Sequence, residues 1–178
     1  YRALQAELGF VDFGAAGNSD ENDSDVDLDY PQQLMPDVCN IIGSAARGGK
    51  PSRFSGDGPG LQCLFWGQDV PLLTNGFWQR GSGTSFATPK AAGLCAALGL
   101  DHARWRALVA AEAARPPTWT GPIPHPKWGW GNMEHAYQTM LARLPEALKP
   151  PRRTLSDPKA ARLAGVKGGE FWEDFRAS

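Results

Sequence analysis

The stretch Gly83-Thr84-Ser85-Phe86-Ala87-Thr88-Pro89-Lys90-Ala91-Ala92-Gly93 decides the reading of this 178-residue chain. It opens a run of small and apolar residues that continues to Leu100. Apolar character on every side predicts a helix buried all round. Pro89 suits the first turn of such a helix, where its missing N–H costs no hydrogen bond. Ser85 then stands at a helix N-terminus, where the dipole and free N–H groups stabilise negative charge. Gly83 leaves room for a substrate backbone, and a rigid helix holds the serine oxygen in place. Two roles fit a serine so placed, a helix cap and a nucleophile. A nucleophile needs a base, and the three histidines, His102, His125 and His135, all follow Ser85 in the chain.

Working outward, residues 3–9 have the spacing of a helix (Leu4, Leu8) that Gly9 stops. Phe10 to Phe13 predict a short buried strand, Cys39 to Ala46 a second, and Leu61 to Trp66 a third, with turn-rich sequence before the third and a loop over 67–84. An amphipathic helix is expected from His102 to Arg115, ended by Pro116-Pro117, and a last helix after Gly129-Trp130-Gly131-Asn132. Strands alternating with helices argue for an α/β layer architecture. Cys39, Cys63 and Cys95 are an odd number of cysteines in apolar surroundings, which suits buried thiols better than a disulfide framework. A net charge of −1 supplies no field to recruit nucleic acid or an anionic membrane. The longest apolar run is too short to span a bilayer. The abrupt start at Tyr1 resembles a cut end.

The eleven-residue stretch as a whole is similar to the nucleophile motif of the subtilisin-like serine proteases, Gly-Thr-Ser-x-Ala-x-Pro-x-x-Ala-Gly, with Gly83, Thr84, Ser85, Ala87, Pro89, Ala92 and Gly93 all in register. Other segments agree in order. Ala15-Ala16-Gly17-Asn18 resembles the family's AAGN, Tyr30-Pro31 and the later NIIGSAA its "YP" and strand segments, and Phe54-Ser55 with Gly58 its "FS" turn. Gly129-Trp130-Gly131-Asn132 with Ala136 resembles the close of its catalytic domain. Two positions depart: Lys90 replaces a common histidine, and Phe65-Trp66-Gly67 stands where Ala-Pro-Gly is frequent. The resemblance covers roughly residues 3–144, with 145–178 a charged, proline-containing extension.

The resemblance implies a parallel sheet flanked by helices and hydrolysis of peptide or protein substrates through an acyl-enzyme. Ser85 is then the nucleophile, and the Asn18 side chain an oxyanion donor beside the Ser85 N–H. Ala15, Ala16, Gly17, Gly83 and Thr84 line the substrate path. The family's triad runs Asp, His, Ser along the chain, yet the 17 residues before Asn18 hold no histidine, and Asp12 lies in the wrong strand for the triad. The chain thus resembles the C-terminal half of a catalytic domain. Either the same protein supplies Asp and His upstream, or a partner chain does, or the chain is an inactive interaction module. Intact Ser85 and Asn18 weigh against the last. An Asp-Gly and a His-Gly-Thr stretch upstream would discriminate.

An acidic stretch, Asp20, Glu21, Asp23, Asp25, Asp27 and Asp29, follows Asn18. A solvated loop is one reading. Alternating carboxylates at Asp23, Asp25 and Asp27 suit calcium, although the glycine of a sharp calcium loop is missing. In the family this segment borders the specificity pocket, so Asp29 beside Tyr30 is a candidate carboxylate for selecting Arg or Lys. No other cofactor is expected. The resemblance implies secretion, with a cytoplasmic location left open.

Overall fold

The computed structural model describes residues 2–18, 35, 37–74, 76–115 and 119–143. Helix α1 (Arg2–Leu8) ends at Gly9, whose φ of 66° is the left-handed turn that glycine adopts freely. Strand β1 (Asp12–Ala15) follows, then β2 (Cys39–Ala45) and β3 (Leu61–Trp66). These three pair in parallel in the order β1-β2-β3. All seven β2 residues are buried, as befits a central strand covered on both faces.

Alternation along β2 sends Ile42 toward one core and Cys39, Ile41 and Ala45 toward the other. In β3 the alternation is broken. Ile41 pairs with Leu61 but Ile42 pairs with Cys63, so Gln62 is the extra residue of a bulge. The bulge has a use: Gln62 Oε1 accepts the indole N–H of the fully buried Trp105 at 2.8 Å. A buried Trp N–H without an acceptor would be costly.

Helix α2 (Thr84–Ala97), α3 (His102–Glu112) and α4 (Glu134–Arg143) build the larger core, which gathers Ile42, Cys63, Phe65, Leu94, Trp105 and Met133. On the opposite face Trp119 and Trp128 pack over Ile41, Leu61 and Leu64. The outer edge of β3 is closed by the 129–133 segment, through Trp130 N to Gln62 O and Leu64 N to Gly131 O, both 2.8 Å. Here the glycines of the GWGN sequence are explained. Gly129 and Gly131 have φ of 58° and 124°, and a side chain on them would collide with the carbonyl oxygens of Gln62 and Ala114 respectively. The outer edge of β1 has no strand beside it among the described residues, and Leu4 and Leu8 of α1 are 53% and 68% exposed.

Three expectations change. The 67–84 segment is not a loop throughout: β4 (Val70–Thr74) and β5 (Phe77–Gly81) form an antiparallel hairpin. Pro71 obscures it in the sequence, yet proline is compatible with a two-stranded ribbon. Helix α2 is buried on one face only (Thr84, Ala87, Ala91, Leu94, Cys95), while Ser85, Pro89 and Gly93 are exposed. Pro89 is the sixth helical residue, beyond the first turn, so the Ser85 carbonyl loses its donor at i+4.

The three cysteines are free and buried, as expected from their surroundings. Burial, reinforced by the Asp12 charge, pushes the Cys39 thiol up to about 12, and burial also raises Cys63 and Cys95. Because the thiolate is the reactive form, a disulfide-exchange reagent at pH 8 is expected to spare all three in the native protein and to titrate them after unfolding. One rapidly reacting native thiol would contradict this.

Candidate active site

The site lies where the chain leaves β1 and where α2 begins. The backbone after β1 is anchored on both sides: Ala16 N donates to Ile42 O at 3.0 Å, and Gly17 O accepts from Gly56 N at 3.0 Å. This carries Asn18 to the C-terminal end of the sheet, where it bridges to Ser55. The FS turn singled out in the sequence therefore supports the AAGN turn directly.

Asn18 meets the start of α2 across 66 residues of sequence. Its Oδ1 accepts from Thr84 N at 2.8 Å and from Thr84 Oγ1 at 3.3 Å. Thr84 Oγ1 also lies 3.3 Å from Gly17 O, and Thr84 is fully buried. The first N–H of the helix is thus satisfied by a side chain from another segment. The N-cap residue, Gly83, has no side chain to offer. Ser85 is the second helical residue, and it is exposed. The cap role considered for Ser85 falls to Asn18 instead.

With Oδ1 committed to Thr84, the other end of the Asn18 amide, Nδ2, keeps its hydrogens for an outside acceptor. Gly83 shows where that acceptor fits. A methyl group built on Gly83 would sit 3.1 Å from Ser85 Oγ and 3.7 Å from Asn18 Nδ2. The Phe86 ring lies 3.6 Å from the same point, so a side chain at Gly83 would crowd the serine oxygen, and the bare α-carbon avoids this. A carbonyl entering there would meet both groups, beside the N-terminal dipole of α2.

The structure therefore brings Gly17, Asn18, Gly83, Thr84 and Ser85 together, with Ala15 and Ala16 leading from β1 into Asn18. Asp23, Asp25, Asp27 and Asp29 lie outside the described residues, as does the extension from 144 onward. The histidines stand elsewhere. His102 Nε2 is 3.1 Å from Asp37 O and its Nδ1 3.3 Å from Asn40 Nδ2, at the far end of the sheet. Burial and the Arg106 charge lower its pKa. His125 Nδ1 accepts from Lys127 N and Trp128 N. His135 stands on α4 beside a groove with Leu94, Leu108 and Met140. Asp12 begins β1, at the end opposite Asn18, and its carbonyl accepts from Asn40 Nδ2. The sequence did not single out the bend at Gly67, whose carbonyl accepts from Gly83 N at 2.9 Å. Its one signal was the departure from the family's Ala-Pro-Gly.

Comparison with known proteins agrees with this geometry. Residues 3–114 match the subtilase family, peptidase S8, and the chain belongs to that family. Among solved structures it resembles the prenylagaramide maturation protease PagA, with 25% identity and a TM-score of 0.58 over 76% of this chain and 52% of that one. It also resembles the self-cleaved protease domain of PatA, with 28% identity and a TM-score of 0.51 over 64% of this chain and 45% of that one. MycP1 of the ESX-1 type VII secretion system shares the fold, at 24% identity and a TM-score of 0.55 over 71% and 41% of the two chains. The chain thus spans about half the length of these proteins. No curated protein matches it.

Proposed function

We propose that this chain is the nucleophile-bearing half of a subtilase catalytic domain that hydrolyses peptide bonds by acyl-enzyme chemistry. Ser85 Oγ attacks the carbonyl, and Asn18 Nδ2 with the Ser85 N–H receives the oxyanion. Aspartate and histidine come from a further segment, of the same chain or of a partner. The observation that carries this reading is the Asn18–Thr84 bond, which turns one amide end to the helix and the other to the space beside Ser85. The β1 edge, which no strand covers among the described residues, and the exposed Leu4 and Leu8 support a completing segment, because such an edge and exposed apolar residues invite further packing. Serine without its base is a weak nucleophile, so residues 1–178 in isolation are expected to show almost no turnover. The test is labelling of the intact protein with a fluorophosphonate and mapping of the modified residue. Adduct on Ser85 supports the proposal, and an active protein modified elsewhere removes it.

The acidic stretch adds two proposals, each with its own readout. If Asp23, Asp25 and Asp27 hold calcium, chelation lowers the melting temperature and calcium restores it. Ligand at a hundredfold excess over Kd stabilises by about 2.7 kcal/mol. If Asp29 faces the residue before the cut, Asp29→Asn reduces cleavage after Arg and Lys while cleavage after Leu or Phe holds. No calcium response and an unchanged cleavage profile would leave a solvated loop.

A further inference from the structure

The two departures from the family's pattern, Lys90 and Trp66, touch each other. Lys90 Nζ lies 4.2 Å from the centre of the Trp66 ring and 5.7 Å from that of Tyr137. It also reaches Glu134 of α4, at 3.3 Å to Oε2 and 3.4 Å to Oε1. Both partners of this ion pair are largely buried, with side-chain exposures of 15% and 13%. The Glu134 carboxylate has two further partners: Oε2 accepts the Trp66 backbone N–H at 3.2 Å, and Oε1 accepts from Gln138 Nε2 at 2.7 Å. The indole N–H turns back to the Gln68 carbonyl. Trp66, Gly67 and Gln68 are thus drawn into one bend, with Lys90 over the ring and Glu134 beneath the backbone.

That bend abuts the nucleophile turn. Gly67 N donates to Ala45 O at 3.0 Å, while Gly67 O accepts from Gly83 N at 2.9 Å. The approach is so close that a methyl on Gly67 would fall 2.6 Å from Gly83 O and 3.1 Å from the Ala87 side chain. Gly83 is two residues from Ser85 and borders the space that Ser85 and Asn18 share. Lys90 is five residues beyond Ser85 on the same helix. One side chain of α2 therefore clamps the loop that positions the start of α2.

Burial lowers the Lys90 pKa while Glu134 raises it, and the ammonium is held by that carboxylate and by aromatic faces that favour a cation. Its partners lie in Glu134 and the rings, which makes it unsuited to serve Ser85 as a base. We propose that Lys90 is a positioning residue: through Trp66 and Glu134 it holds the Trp66-Gly67-Gln68 bend against Gly83 and so sets the placement of Ser85 for attack. This rests on the reading of Ser85 as nucleophile. Small misplacements of a reacting atom cost much in rate, so a clamp remote from the substrate can act on kcat and leave KM alone.

The test uses the intact protein, with Lys90→Met, which keeps the stem and removes the charge, and Lys90→Arg, which keeps the charge over the ring. Two readouts are taken: hydrogen exchange at the Gly83 amide, and kcat and KM per fluorophosphonate-titrated site. In Lys90→Met, Gly83 exchange is expected to quicken and kcat to fall, each about tenfold, with KM nearly constant. Lys90→Arg is expected to restore both. If Lys90→Met does not fold, Trp66→Leu, which leaves the ion pair whole but removes the ring, is read the same way. Unchanged Gly83 exchange in the folded variant overturns the proposal, and so does faster exchange with unaltered kcat, or failure of Lys90→Arg to rescue. A wild-type protein that never labels at Ser85 instead fails the nucleophile reading, and Gly83 exchange still reports on the clamp.

Discussion

Ser85→Ala in the intact protein is expected to abolish fluorophosphonate labelling and to lower kcat on the order of 10⁶, a magnitude established for nucleophile loss in another member of this family. The structure says why so small a change should be so selective. Ser85 is exposed at the second position of α2. The hydrogen bond that secures the helix start belongs to Thr84 and Asn18. Removing the hydroxyl opens no buried cavity and breaks no cap. Alanine is also the best helix former, so stability should stay within about 0.5 kcal/mol of wild type, as for ordinary surface changes. Activity and stability therefore separate. If Ser85 were instead a structural cap, the same substitution would cost about 1 kcal/mol and spare the chemistry. Thermal unfolding together with burst-phase kinetics decides between them. Surviving proteolysis in a well-folded Ser85→Ala protein would remove the proposed mechanism.

The parts of this site that the sequence disclosed are those encoded locally. Leu61–Trp66 is a strand with the expected bounds, and β2 ends one residue early; both are short, largely apolar stretches bounded by turn-rich sequence. The first strand is displaced, to Asp12–Ala15 rather than from Phe10, since Gly14 and Ala15 carry no strand propensity and pair through Ile41 and Ile42. For α2 the sequence contrast fails for another reason. Both faces are built largely of small residues with no large apolar or charged side chain to mark them, so the exposed face of Ser85, Pro89 and Gly93 gives little contrast to the buried face of Ala87 and Ala91. The hairpin of 70–81 was hidden by Pro71, although Asn75-Gly76 is a strong turn signal. What no local pattern could give are the contacts across the fold. Asn18 to Thr84 and Lys90 to Trp66 each join segments that only the sheet brings together. Motif resemblance named the first pair without its bond, and marked the second only as two unrelated departures.

Asn18 offers the other large effect, and the geometry makes it separable into two parts. Its Oδ1 accepts the Thr84 N–H, and its Nδ2 is the donor proposed for the oxyanion. Asn18→Asp keeps an acceptor for Thr84 and places a negative charge at a helix N-terminus, where the dipole welcomes it. The fold should be kept or slightly strengthened. The donor is lost, however, and a carboxylate now faces the oxygen on which negative charge develops. The expected fall in kcat exceeds the 10²–10³ typical for loss of one oxyanion donor, with KM nearly unchanged because the bond is made in the transition state. Asn18→Ala removes both functions. It should lose about 10²–10³ in kcat and, with the Thr84 amide left uncapped, about 1 kcal/mol of stability. The two variants thus move stability in opposite directions while both lose turnover. If Asn18 served only to cap α2, Asn18→Asp would remain active and Asn18→Ala alone would suffer. Measuring kcat, KM and the unfolding midpoint for the pair distinguishes a donor to the oxyanion from a cap, because only the donor role makes the better-capped protein the slower enzyme.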